Sequence, residues 1–240
     1  MARQCLLNTM NSTKVSVIVP NHGRNIDRLK LSIRMSTYDN VEIIEVDEGK
    51  ERSVQRNIGM ERAKGDYLLF LDSDQEVSLT LIKECVKAMG YADAVYIPEI
   101  IIAKGLFGYI RNWERSFYTG TPIDCVRFVK RGCPRFDESM SGPEDADWDR
   151  RVPGIRVIST SPLYHNDNIS LINYLKKKAY YTKSMKHFSE LWGNDQVLDW
   201  KWRCFGVFFS QWKRVLKRPD LFIATMFILL LRGLIYLWLR

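Results

Sequence analysis

The chain has 240 residues and a formal net charge of +8, with 46% hydrophobic and 27% charged residues. That length holds one moderate domain and an appendage, and the composition excludes a disordered or collagen-like chain. Cysteines at positions 5, 85, 125, 133 and 204 form no Cys-x-x-Cys pair, which argues against a zinc site and a disulfide framework and for reduced core thiols. The start, Met1-Ala2-Arg3-Gln4-Cys5, carries no long apolar run, so no secretory signal is expected and the N-terminal part should face the cytoplasm.

In chain order, Val15-Ser16-Val17-Ile18-Val19-Pro20 reads as a β-branched first strand, with Asn21-His22-Gly23 as its turn and a helix over 26–35. Residues 41–46 read as a second strand ending at Asp47, and residues 52–63 as a helix. The run Tyr67-Leu68-Leu69-Phe70-Leu71 then reads as a third strand, buried on both faces, ending in Asp72-Ser73-Asp74. Strand, helix, strand, helix, strand in about sixty residues is the pattern of βαβ units on a parallel sheet. A helix over 79–89 and a strand over 93–98 follow. The spacing further predicts an edge strand over 123–129, a short helix over 144–151 and a last strand over 155–158.

Beyond Ser170 the basic surplus is concentrated, with thirteen Lys/Arg against four Asp/Glu. Nucleic acid and anionic lipid are the usual partners of such a region, and the apolar neighbours favour lipid over nucleic acid. Helices are predicted over 171–188 and 197–216, the second mixing Trp200, Trp202, Phe205, Phe208, Phe209 and Trp212 with Lys201, Arg203, Lys213 and Arg214 as in an interfacial helix. After Arg218-Pro219-Asp220, residues 221–239 hold one charge, Arg232, and are expected to form a transmembrane helix, with a re-entrant or interfacial helix as the alternative.

In parallel sheets ligands bind beyond the carboxyl ends of the strands, which is where Asp72 and Asp74 fall. Two hard oxygen donors on one short segment suit Mg2+ or Mn2+ clamping a diphosphate; capping of the following helix is the plain alternative. The pieces Val15 to Asn21, Val46-Asp47-Glu48-Gly49, Arg56-Asn57-Ile58-Gly59, Ala63-Lys64-Gly65-Asp66-Tyr67, Asp72-Ser73-Asp74 and Gly142-Pro143-Glu144-Asp145 stand in the order seen in family 2 glycosyltransferases. Over about residues 14–165 the chain resembles that family.

The resemblance implies an α/β GT-A fold, with a Rossmann-like, mixed but mostly parallel sheet flanked by helices. It divides the chain into a nucleotide-sugar-binding catalytic domain over 1–168 and membrane-associated helices over 169–240. It implies that Pro20, Asn21 and Asp47 hold the nucleoside, that Arg52 reaches the diphosphate, and that Asp72 and Ser73 lie against the donor. Asp72, Asp74, Glu76 and His165 are the metal ligands it implies, with Mn2+ or Mg2+ as cofactor. Asp145 is then the general base of an inverting transfer, with Glu144 beside it. Gln211-Trp212-Lys213-Arg214-Val215 faintly resembles the Gln-x-x-Arg-Trp acceptor motif of cellulose-synthase-like members, which puts Gln211 and Arg214 with Arg232 as acceptor or lipid contacts; the Val at the final position departs from it. Similarity to small membrane-bound mannosyltransferases makes GDP-mannose the first expected donor and a dolichyl- or polyprenyl-linked molecule the expected acceptor. A nucleotidyltransferase would need a Gly-rich phosphate loop after the first strand, which Asn21-His22-Gly23-Arg24 is not, and a dinucleotide oxidoreductase a Gly-x-Gly-x-x-Gly. An inactive membrane scaffold would have no chemical need for Asp72, Asp74 and Asp145 together.

Overall fold

The computed structural model describes residues 13–193 and 195–238; Cys5 and Leu239 lie outside them. The elements run β1 (Val15–Pro20), α1 (Asp27–Arg34), β2 (Val41–Val46), α2 (Arg52–Arg62), β3 (Tyr67–Phe70), β4 (Gln75–Val77), α3 (Leu81–Ala88), β5 (Ala94–Tyr96), β6 (Glu99–Ile101) and α4 (Gly105–Arg115). Next come β7 (Phe128–Lys130), α5 (Glu144–Arg151), β8 (Arg156–Ile158), β9 (Leu163–His165), α6 (Leu171–Tyr181) and α7 (Met185–Trp192). A π turn (Trp202–Gly206), α8 (Val207–Phe209), α9 (Trp212–Lys217) and α10 (Pro219–Trp238) close the series.

Six strands form one sheet in the order β2-β1-β3-β7-β5-β8, in which β7 alone runs against its neighbours. Every residue of β1 is buried, because α1 and α3 cover one face of the sheet and α2 and α5 the other. Val15, Val17 and Val19 pack towards Leu29, Ile33, Ile82 and Cys85, whereas Ile18 packs with Leu68, Phe70 and Trp148. Coverage on both faces is why these strands read as continuous apolar runs instead of alternating ones. Gly59 lets α2 approach β1, since a Cβ there would overlap Ile18 Cγ2. Gly59→Ala is expected to cost about 1–3 kcal/mol by overpacking, against the roughly 1 kcal/mol it gains in helix propensity. Urea unfolding measures the net loss of about 0–2 kcal/mol, and a variant stabilised by the full ~1 kcal/mol of helix propensity would refute the close approach.

A second sheet, β4-β9-β6, is made of three-residue strands. It places His165 opposite Gln75 and beside Ile101, one residue beyond Asp74 in register. The strand expected at the edge over 123–129 is shorter, Phe128–Lys130, and lies inside the main sheet between β3 and β5.

The helix expected over 171–188 is split by a 3-10 turn at Thr182–Ser184, and the one over 197–216 breaks at Ser210 and Gln211. Among the described residues, no helix is long and apolar enough to cross a membrane, so the transmembrane segment expected over 221–239 is not found. The apolar surface of α10 is divided instead. Leu221, Ile228 and Leu229 are buried, packing with Ile110, Tyr174 and Phe208, Thr225 between them in sequence is buried too, and Arg232 pairs with Glu114 of α4 at 3.3 Å. Ile223, Phe227, Leu230, Leu234 and Leu237 stay exposed on the opposite side.

Candidate active site

The main sheet ends at the turn that follows β3. Asp72 N donates to Gln75 Oε1 at 2.9 Å and Gln75 N donates to Asp72 O at 3.0 Å, so the chain folds straight back into β4. Asp72-Ser73-Asp74 therefore caps no helix: α3 begins only at Leu81.

Two arginines one turn apart on α2 face this turn. Arg56 Nη2 lies 3.4 Å and Arg52 Nη1 3.9 Å from Asp72 Oδ1. Arg56 also pairs with Asp145, and Arg52 with Glu144 Oε1 at 2.8 Å, so α2 couples the strand-tip aspartate to the acidic pair at the start of α5. Tyr181 Oη accepts a further hydrogen bond from Arg52 at 3.1 Å. Burial alone would raise the pKa of Asp72, but Arg52 and Arg56 hold its carboxyl far below the usual range. The adjacent pair separates: burial pushes Glu144 up, while Arg56 and Arg52 outweigh burial at Asp145 and hold it down. Glu144 is 2% exposed and tied to Arg52 and the Gly142 N–H, whereas Asp145 is 32% exposed. Of the two, Asp145 is the carboxylate that solvent or a substrate can reach.

Asp74 faces a different group. Arg24 Nη1 reaches its Oδ2 at 2.8 Å and His165 Nε2 lies 3.3 Å from its Oδ1. His165 Nδ1 in turn lies 2.7 Å from Glu99 Oε1, and Glu99 is held by Arg115 at 3.2 Å and Arg127 at 3.1 Å. Burial would lower the His165 pKa, but the hydrogen bonds with Asp74 and Glu99 prevail and push it up to about 9.

The remaining expected residues fall as follows. Pro20 and Asn21 lie at the carboxyl end of β1. The Asn21 side chain is used in its own turn, accepting from the His22 and Arg24 amides and donating to Glu45 at 2.7 Å. Asp47 is exposed after β2, and Ser73 is half-buried in the turn between the two aspartates. Glu76 points into the small sheet, where Asn166 Nδ2 donates to it at 2.6 Å. Gln211 and Arg214 bond each other, Arg214 also reaching Ser116 Oγ at 2.5 Å and stacking over Phe117. Those contacts anchor α9 on the segment after α4. Arg24, Arg56, Glu99, Arg127 and Tyr181 complete the cluster without having been given a role in the sequence analysis. Arg56 had a signal, since Arg52 and Arg56 are four apart on a helix and share a face. Glu99 had none, because its contacts arise from a sheet of three-residue strands.

Among the described residues, no group of three or more His, Cys, Asp or Glu side chains converges as a metal site. Asp74 and His165 nevertheless stand side by side, and a histidine with its second nitrogen on a carboxylate is the usual outer arrangement of a metal-binding imidazole. Two protein donors suffice for Mg2+ or Mn2+ where substrate phosphates and water complete the coordination.

Residues 38–129 match the family model described as "Glycosyl transferase family 2". Among solved structures, S. aureus TarS resembles the chain with 15% identity and a TM-score of 0.50, over 72% of this chain and 39% of that one. GalNAc-T7, solved with UDP, GalNAc and Mn2+, resembles it with 14% identity and a TM-score of 0.51, over 72% of this chain and 50% of that one. The chain thus spans half or less of the length of either structure, and at these identities the likeness is one of fold. No curated protein matches the sequence. Residues 38–129 are thus similar to family 2 glycosyl transferases, and the solved structures share the fold, a mixed, mostly parallel sheet flanked by helices.

Proposed function

We propose that this protein transfers a sugar, with inversion, from a nucleoside diphosphate sugar to a lipid-linked acceptor at a membrane surface. The observation that carries the reading is the pairing of Asp72 and Asp145 through Arg56, with Asp74 and His165 beside them. Pro20, Asn21 and Asp47, at the ends of β1 and β2, would border the nucleoside, with Arg52 at the diphosphate. Arg52 and Arg56 supply the positive field that favours negative charge on the departing diphosphate, and Glu144 keeps Arg52 in place. Asp145 takes the proton from the acceptor hydroxyl as it attacks the anomeric carbon from the face opposite the diphosphate. Arg56 and Arg52 keep it ionised. Asp74 and His165, with Glu99 fixing the imidazole, would hold Mn2+ or Mg2+, whose chemistry is to neutralise charge on the leaving diphosphate. Glu76 is the weakest candidate ligand, since it is turned to Asn166.

Residues 1–168 form the catalytic part on this reading, and 169–240 the part facing the lipid. The basic surplus after Ser170 suits an anionic leaflet such as the cytoplasmic one, and the exposed apolar side of α10 suits the interface itself. No contact within the site favours mannose or guanosine over other donors; GDP-mannose is therefore to be tested beside UDP-sugars, UDP being the nucleotide present in the GalNAc-T7 structure. The test is incubation of the purified protein with each donor, Mn2+ and a polyprenyl-linked sugar, whose hydroxyls can accept, followed by mass spectrometry of the lipid. A glycosylated lipid from one donor supports the reading; release of no sugar from any donor overturns it.

A further inference from the structure

Outside the carboxylate site, four cations gather where α4, α6, α10 and the π turn meet. Tyr174, 3% exposed, has Arg111 Cζ 4.6 Å, Lys178 Nζ 5.4 Å and Arg232 Cζ 5.9 Å from its ring centre. Arg203, from the π turn, lies within the electrostatic reach of Arg232 and Tyr174. Two carboxylates answer them among the described residues: Asp167 pairs with Arg111, and Glu114 pairs with Arg232 while accepting from Tyr118 Oη at 2.5 Å. Lys178 has neither an ion pair nor a hydrogen bond to another described residue, and the Arg203 guanidinium donates to the carbonyl of Val197 at 3.1 Å. All four cationic side chains are partly buried.

Gathering like charges away from water is costly unless an anion answers them. We propose that Lys178, Arg203 and Arg232, grouped around Tyr174, bind a phosphate group carried by the acceptor. A flexible ammonium and forked guanidinium donors suit the oxygens of a phosphate, and the Tyr174 ring, which Lys178 and Arg232 flank, supplies a rigid wall. Burial and the neighbouring cations disfavour the charged forms of this cluster. Burial, then Arg232 and Arg111, push the Lys178 amine well below its ordinary value, and burial with Arg232 lowers Arg203.

The position fits an acceptor. Lys178 Nζ lies 5.5 Å from the Tyr181 ring, whose hydroxyl is bonded to Arg52 at the edge of the candidate active site. One tyrosine thus separates the cation cluster from the arginines that face Asp72. The role as an acceptor subsite rests on the glycosyl-transfer reading; the binding of phosphate does not. Phosphate can arrive on a lipid or on a soluble molecule.

The experiment compares the full chain with Lys178→Gln and Arg203→Gln in three arms. Binding is measured to phosphatidylcholine vesicles with and without phosphatidic acid, to inorganic phosphate, and to UDP and GDP with Mn2+. The wild type is expected to prefer the phosphatidic acid vesicles, and each variant to lose about tenfold of that preference, as removal of a charged hydrogen-bond donor implies. The variants are also expected to melt no lower than the wild type without phosphate, since a repelling charge has been removed, and to gain less from its addition. Variant-sensitive binding of inorganic phosphate with no vesicle preference supports the anion site and assigns it to soluble phosphates. Variants that match the wild type in both the vesicle and phosphate arms overturn the proposal. Failure of UDP and GDP to bind the wild type would strike the donor-site reading and leave the phosphate site standing.

Discussion

Asp74→Ala is expected to abolish Mn2+-dependent transfer, by about a thousandfold or more, while the protein still folds. The magnitude follows from the several kcal/mol that a bound cation supplies to a leaving diphosphate. The fold should tolerate the change because Asp74 sits at a turn, 28% exposed, and its partner Arg24 is itself largely solvated. His165 loses one of two hydrogen bonds and keeps that to Glu99. Initial rates with and without Mn2+, together with a melting curve, measure the two claims separately. If the variant keeps metal-dependent activity, Asp74 is no ligand and the pairing with His165 is structural.

The second large effect is expected at the acidic pair. Asp145→Asn should retain nucleoside diphosphate binding within about twofold and lose transfer to a hydroxyl by about 10²–10⁴, the usual contribution of a positioned base. The amide preserves shape and can still accept from Arg56, but cannot take a proton at the attacking oxygen. Arg56 is 3% exposed and keeps Asp72 as a partner, so no buried cation is left without a counter-charge. Glu144→Gln should behave differently. It loosens Arg52, which lies against Asp72 and would meet the diphosphate on the proposed reading, so donor affinity should fall along with rate. Comparing KM and kcat for the two variants separates proton transfer from positioning. A fully active Asp145→Asn removes that carboxylate from the chemistry.

The strands β1 and β3 were readable because strands buried on both faces leave nearly unbroken apolar runs, as Val15 to Val19, interrupted only by Ser16, and Leu68 to Leu71 do. Asp72 and Asp74 were readable for the same reason: they end such a run abruptly. The small sheet was not readable, since three residues such as Gln75-Glu76-Val77 or Leu163-Tyr164-His165 are too few to show a period. Helix α4 was missed because Gly105 and Gly108 interrupt its pattern; Gly108 is there to let the helix pass over Ala103. The buried arginines were hidden by chemistry. A guanidinium clamped between carboxylates and one in solvent look alike in sequence, and only the return of α5 to α2 distinguishes them. The apolar stretch of α10 misled in a similar way, because hydropathy does not distinguish a lipid surround from one face packed on α4 with Arg232 closed on Glu114.

The central claim is that the tips of β1 to β3 hold a nucleoside diphosphate with a divalent cation. The most direct test is the melting temperature of the full chain with UDP, GDP, ADP or CDP, each with and without Mn2+, since a ligand that binds the native state raises its apparent stability. Stabilisation by one diphosphate that requires Mn2+ and vanishes in Asp74→Ala is the predicted result. No shift with any diphosphate, or equal shifts with and without the metal, would contradict it.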